Sequence, residues 1–162
     1  MISKIYYYFK DKKEIIEEFN IYSRYMSYGS YVFDNTINFI MLDEHYTRKR
    51  STQILRNIYI NKKTRGSFVF LLKKLRYKNK FTIPEQTQAI NDFRGTVYYS
   101  TRSCKKIFDL SSNKVLSIFL NKKDYKSFLD SNQYFKEHFP LPKILYNNDE
   151  ELSIIEELIV FQ

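Results

Sequence analysis

Apolar and polar positions along the chain fall into short blocks, and their spacing changes part-way through. Residues 2–9 (ISKIYYYF) are β-branched and aromatic and predict a short strand. From Lys12 to Tyr25 the apolar residues Ile15, Ile16, Phe19 and Tyr22 recur at helical spacing, and Asp11 is placed to cap that helix. A turn through Gly29 follows, from Met26 to Tyr31. Val32 to Leu42 is apolar but interrupted by Asp34, Asn35 and Asn38, and its pattern does not decide between strand and helix. Two helices are expected next. One is capped by Asp43 or Thr47 and runs to about Ile60, with Ile54, Leu55, Ile58 and Tyr59 on its apolar side. The other runs from Ser67 to Tyr77 with Phe68, Leu71, Leu72 and Leu75 together.

The stretch Lys78 to Pro84 breaks this periodicity, since a proline disfavours helix at the residue before it, Ile83. A short helical piece is expected from Glu85 to Phe93. After Gly95 the blocks become strand-like and are separated by polar turns: Thr96 to Ser100, Cys104 to Leu110, and Lys114 to Leu120. On Lys122 to His138 an apolar stripe of Tyr125, Phe128, Leu129, Phe135 and Phe139, with Asn132 in line, predicts an amphipathic helix that Pro140 ends. Lys143 to Tyr146 and Ser153 to Val160 complete the set, joined through NNDEE. The expected fold class is α+β. A mainly helical basic region (1–80) and a linker (81–94) precede a five-stranded antiparallel sheet with one packed helix (95–162).

Charge sharpens that division. The chain of 162 residues carries a net +9, but residues 1–80 hold 17 Lys and Arg against 7 Asp and Glu, while residues 81–162 hold 10 against 11. Within 44–80 there are twelve basic residues and one acid, Glu44. Two helices around NKKTRG can present Arg48, Lys49, Arg50, Lys62, Lys63 and Arg65 to nucleic-acid phosphates, with tyrosines nearby for stacking. The segment SFVFLLKKLRYK equally suits an anionic membrane surface, and a solvated face in a lysine-rich chain needs no ligand at all. With 43% apolar residues the chain can bury a core, and it contains no apolar run of membrane-spanning length. One cysteine, Cys104, excludes an internal disulfide and reads as a small apolar strand residue. His45 and His138 lack metal-ligand spacing. The N-terminus has no signal-peptide pattern, which places the protein in the cytoplasm.

Three strands, a helix and two more strands, with KVLSIFL, then KKDYKSFLDSNQYFKEHFPLPKIL, then LSIIEELI, resemble the N-terminal lobe of the protein-kinase-like fold. The closer likeness is to bacterial small-molecule kinases of the aminoglycoside phosphotransferase type. LPKIL and IIEEL carry the likeness, which covers about residues 95–162. It implies an ATP-binding lobe of a phosphotransferase that uses Mg²⁺. A lysine at the end of the third strand would hold the nucleotide phosphates, and the acidic, apolar segment Glu156, Glu157 and Leu158 would meet adenine through its backbone.

The sequence departs from this pattern where chemistry is required. The position that aligns with the lysine is Ser117, and a hydroxyl cannot supply a fixed cation. Lys114 is the nearby substitute, but a shift of three residues turns a strand side chain to the other face. No glycine follows Gly95, so no glycine-rich loop covers phosphates, and neither Asp130 nor Glu137 stands out as the lysine's partner. The catalytic aspartate and metal-binding aspartate belong, by the resemblance, to a second lobe beyond Gln162. No phosphotransfer by residues 1–162 alone is therefore expected. The partners that follow are such a lobe, a second copy of the chain through an uncovered sheet face, or nucleic acid through 44–80.

Overall fold

A computed structural model describes residues 13–34, 39–44, 80–83, 92–101 and 103–159. Residues 13–22 form helix α1, and one 3₁₀ turn follows at Ser23–Tyr25. The strands are β1 (Gly29–Asp34), β2 (Phe39–Leu42), β3 (Lys80–Ile83), β4 (Val97–Ser100), β5 (Cys104–Asp109) and β6 (Lys114–Phe119). Helix α2 (Lys122–Phe135) then leads to β7 (Ile144–Asn148) and β8 (Ser153–Glu157). All eight strands make one antiparallel sheet in the order β3-β1-β2-β4-β5-β6-β8-β7.

The α+β class holds, but the sheet has eight strands where five were expected. The three added strands come from the first half of the chain. The described parts of Val32 to Leu42, which the pattern left undecided, belong to the paired strands β1 and β2, and β2 shows no alternation because it is buried on both faces. Lys80–Ile83, at the start of the expected linker, pairs with β1. The sheet continues from the first region into the second where β2 pairs with β4, with Ile40 opposite Tyr98 and Met41 opposite Val97. The strand expected at 2–9, the helices expected from about 45 to 60 and over 67–77, and all but the last two residues of the piece expected at 85–93 lie outside the described residues; Asp92 and Phe93 are not helical.

Turn chemistry sets the register of β4, β5 and β6. The Thr101 hydroxyl accepts from the Cys104 N–H at 3.0 Å, and the Thr101 N–H donates to the Cys104 carbonyl at 3.0 Å, closing β4 onto β5. Between β5 and β6 the buried Asp109 carboxylate accepts from the N–H groups of Arg94, Ser111 and Ser112, each at 3.0 Å, and from both serine hydroxyls. Asn113 completes that turn at φ 54°, a conformation its short polar side chain tolerates. The Asn121 side chain caps α2 by accepting from the Asp124 N–H at 2.9 Å. Asn148 accepts from the N–H groups of Glu150 and Glu151 to start the turn into β8. Pairing of β7 with β8 is irregular between Ile144 and Tyr146.

Each face of the sheet has its own helix. Adjacent strand residues point to opposite sides, and cross-strand partners share a side. The first face carries Tyr31, Phe33, Ile40, Leu42, Tyr98, Ile107, Leu116, Ile118 and Ile155, against which α1 packs Phe19 and Tyr22. The second face carries two clusters. One joins Val32, Phe39, Met41, Val97, Phe108 and Val115, and the other joins Cys104, Phe119 and Ile154 to Tyr125, Phe128 and Leu129 of α2. Gly95 sits where the segment after α1 meets the start of β4. A Cβ there would lie 2.4 Å from Ile107 Cγ2 and 2.7 Å from the Tyr25 carbonyl oxygen, so only glycine fits.

Candidate functional site

The register decides which of the sequence-predicted residues can act together. Lys114 stands opposite Asp109 on one side and Glu157 on the other, so all three share the first face. Ser117 stands opposite Lys106 on β5 and Ile154 on β8, on the second face with α2. Lys114 and Ser117 are thus on opposite sides of the sheet. The odd spacing along the strand is the reason that a side chain at 114 does not leave the sheet on the side of position 117.

Glu156 and Glu157 are divided the same way. Glu157 is exposed on the first face, and Glu156 is buried on the second. Leu158 packs against the second-face cluster around Phe108 and Val115. The Glu157 N–H donates to the Lys143 carbonyl at 3.0 Å and the Leu158 N–H to the Asn113 carbonyl at 2.8 Å. Both N–H groups are therefore occupied.

One residue that the sequence reading passed over joins this group. Lys106 is the only lysine that β5, β6 and β8 place on the second face, and its Nζ lies 3.9 Å from Glu156 Oε1. The lysine side chain is 27% exposed and the glutamate side chain 10%. Burial raises the Glu156 pKa above the ordinary carboxylate range, and the Lys106 charge offsets only part of that. The Ser117 hydroxyl is fully buried and has no hydrogen-bond partner. A short serine leaves space for the Lys106 chain to cross toward Glu156, which sits diagonally across β6. The signal was present in the sequence as a hairpin register: Asp109 opposite Lys114 makes Lys106 opposite Ser117.

The neighbouring lysine, Lys105, is buried and committed elsewhere. Lys105 points to the first face, where its Nζ donates to Glu18 Oε1 at 2.7 Å and to Ser100 Oγ at 2.8 Å. Among the described residues no three His, Cys, Asp or Glu side chains come together in a way that would hold a metal ion. Arg48, Lys49, Arg50, Lys62, Lys63 and Arg65 lie outside the described residues.

The raised pKa of Glu156 has a measurable consequence. A carboxyl that ionises less readily in the folded state destabilises the fold above its folded pKa, and that cost is gone below the unfolded value of about 4.3. Glu156→Gln is therefore expected to gain stability over the wild type in urea melts at pH 8 and to lose that advantage at pH 4. A difference that does not change with pH would mean that burial does not raise the Glu156 pKa in the folded chain.

A separate feature lies at the far end of α2. Only the first half of the predicted apolar stripe meets the sheet: Tyr125 is buried and Phe128 and Leu129 pack beside it. The helix ends at Phe135, earlier than the expected His138, and Phe135 and Phe139 remain 43% and 58% exposed. Next to them a groove of about 650 Å³ is lined by Leu129, Phe139, Leu141 and Ile144, with Lys136 and Lys143 at its rim.

Compared with protein-family models, with curated proteins and with solved structures, the chain matches none of them. No helix among the described residues is long and apolar enough to cross a membrane.

Proposed function

We propose that residues from about 95 onward form a kinase-like lobe that binds a nucleotide on the second face of the sheet and performs no phosphotransfer by itself. The supporting observation is the order of elements: the β4–β5–β6 meander, then α2, then β7 and β8. That is the order of three strands, a helix and two strands on which the resemblance rests. Helix α2 also packs on the face that carries Ser117, the position aligned with the nucleotide-binding lysine. ATP would supply the phosphates and Mg²⁺ would screen their charge.

A thermal-shift titration with ATP and Mg²⁺ tests this. A ligand that binds the native state raises its stability by mass action, by about 2.7 kcal/mol at a hundred times Kd. A saturable rise in melting temperature is the expected result. No rise at millimolar ATP would remove the nucleotide reading.

The half-covered stripe of α2 favours a second reading, a protein-interaction module. In that case the chain would bind no nucleotide, and the exposed Phe135 and Phe139 with the adjoining groove would be the contact surface. Sedimentation velocity over a range of concentrations, run on the same preparation, would show self-association where the melting curve shows no ligand. A nucleic-acid role for 44–80 predicts instead a binding constant that falls steeply with salt.

A further inference from the structure

We infer that Lys106, and neither Ser117 nor Lys114, is the cation that meets the phosphate groups of a nucleotide on this face, with Glu156 as its positioning residue. The inference rests on the nucleotide reading above and names the residue that reading lacks.

Four observations carry it. The register sets Lys106 directly across from Ser117, so its side chain leaves the sheet on the same side, one strand away. No hydrogen bond engages the Lys106 ammonium among the described residues, and the approach to Glu156, at 3.9 Å, is longer than a hydrogen bond. Its donors thus remain available to an anion, while the carboxylate fixes the direction of the chain. The Ser117 hydroxyl beneath it is buried without a partner, a polar group that a phosphate oxygen could satisfy once the lysine swings outward. Finally, the other two lysines of β5 and β6 face away from Ser117. Lys105 is held by Glu18 and Ser100 on the first face, and Lys114 shares that face with Asp109 and Glu157.

A flexible ammonium at position 106 can do what a fixed lysine at 117 would do, because cross-strand neighbours on one face lie within about 5.5 Å of each other. Serine at 117 is then the consequence of a cation supplied from the next strand. A second long side chain at 117 would compete with Lys106 for the same space.

Isothermal titration of the full chain with ATP and Mg²⁺ separates the outcomes. Lys106→Ala and Lys106→Gln should each weaken binding by about tenfold or more, the scale of one charge-assisted hydrogen bond. Lys114→Ala should stay within about twofold of the wild type, as expected for a charge on the opposite face. The exchange variant, Lys106→Ala with Ser117→Lys, should recover most of the loss, which a merely structural role for Lys106 would not allow. Urea melts of each variant identify any that fails to fold, and the glutamine variant keeps the aliphatic stem for that purpose. Folded Lys106 variants that bind ATP like the wild type would overturn the inference and leave the nucleotide reading standing. A wild-type chain that binds no ATP would remove both.

Discussion

Glu18→Ala is expected to lower the stability of the chain by about 2–3 kcal/mol and to loosen α1 from the sheet. Glu18 is the hub of the polar contact between α1 and the first face. Its carboxylate accepts from Lys105 Nζ at 2.7 Å, from the Ser100 hydroxyl at 2.6 Å and from the Tyr98 hydroxyl at 3.4 Å. The lysine side chain is 6% exposed, so removing its partner leaves a charge in an apolar setting, whereas the glutamate side chain is 33% exposed and water softens the loss. At this chain length about 2–4 °C of melting temperature accompany each kcal/mol, so a fall of roughly 5–10 °C is expected. Lys105→Met combined with Glu18→Gln should recover part of it, because an apolar stem needs no counter-charge.

The pH dependence of Glu18 carries a definite sign. Burial alone would raise its pKa, but the bonds from Lys105 and Ser100 and the lysine charge outweigh burial and hold it below the ordinary value. Its stabilising effect is therefore present above the unfolded carboxylate pKa and is lost as pH falls through the folded one. Urea melts at pH 7 and pH 3 should show the Glu18→Ala difference shrinking at low pH. Hydrogen exchange over residues 13–22 should show faster opening in the variant at pH 7. If exchange there matches the wild type, the apolar contacts of Ile15, Phe19 and Tyr22 suffice to hold the helix.

Asp109→Ala is the second large effect, also about 2–3 kcal/mol. Three backbone N–H groups and two hydroxyls converge on this one carboxylate, and the residue itself is buried. Here too burial would raise the pKa, but the bonds from Ser111, Ser112 and Arg94 prevail and lower it. That stabilisation disappears as pH drops through the folded value. Alanine strands the Arg94 N–H beside the sheet, although the exposed serines can turn to water. Asp109→Asn keeps one acceptor oxygen and should cost about half as much. An alanine variant within about 0.5 kcal/mol of the wild type would show that the turn is set by Asn113 and the strands alone. Because Asp109 fixes the β5–β6 turn, the same variant should also weaken ATP binding if Lys106 is the phosphate cation, since a slip of one residue turns every side chain of a strand to the other face.

The second half of the chain was legible because its signals are local. Strands β4 to β8 begin and end within a few residues of their expected positions, where Thr101, Ser111 to Asn113 and Asn147 to Glu150 mark turns. The first three strands were hidden for different reasons. Phe39–Leu42 is apolar on both faces, so it has no alternation to read, and Lys80–Ile83 is a short run beside Pro84 that is recognisable only from its pairing with β1. The stripe on α2 was correct in sequence but not in burial, because whether Phe135 and Phe139 meet a neighbour depends on the path of the sheet. For the candidate site, the separation of Lys114 from Ser117 was readable from spacing along one strand. The place of Lys106 needed the register between two strands, and Glu156 needed a third.

The seam at β2 and β4 determines how the molecule can be dissected. A chain cut before Gly95 would bare the outer edge of β4, where Ile40 and Met41 now pair, and would uncover the hydroxyl and ring of Tyr98 that α1 shields. It would also lose the tie from Arg24 and Tyr25 to Glu151 in the turn before β8. Such a fragment has an open strand edge and a bare apolar face, the two features that drive sheet-to-sheet clumping. Residues 95–157 are thus one part of a larger sheet, and any ligand binding there is best assayed with residues 1–94 in place.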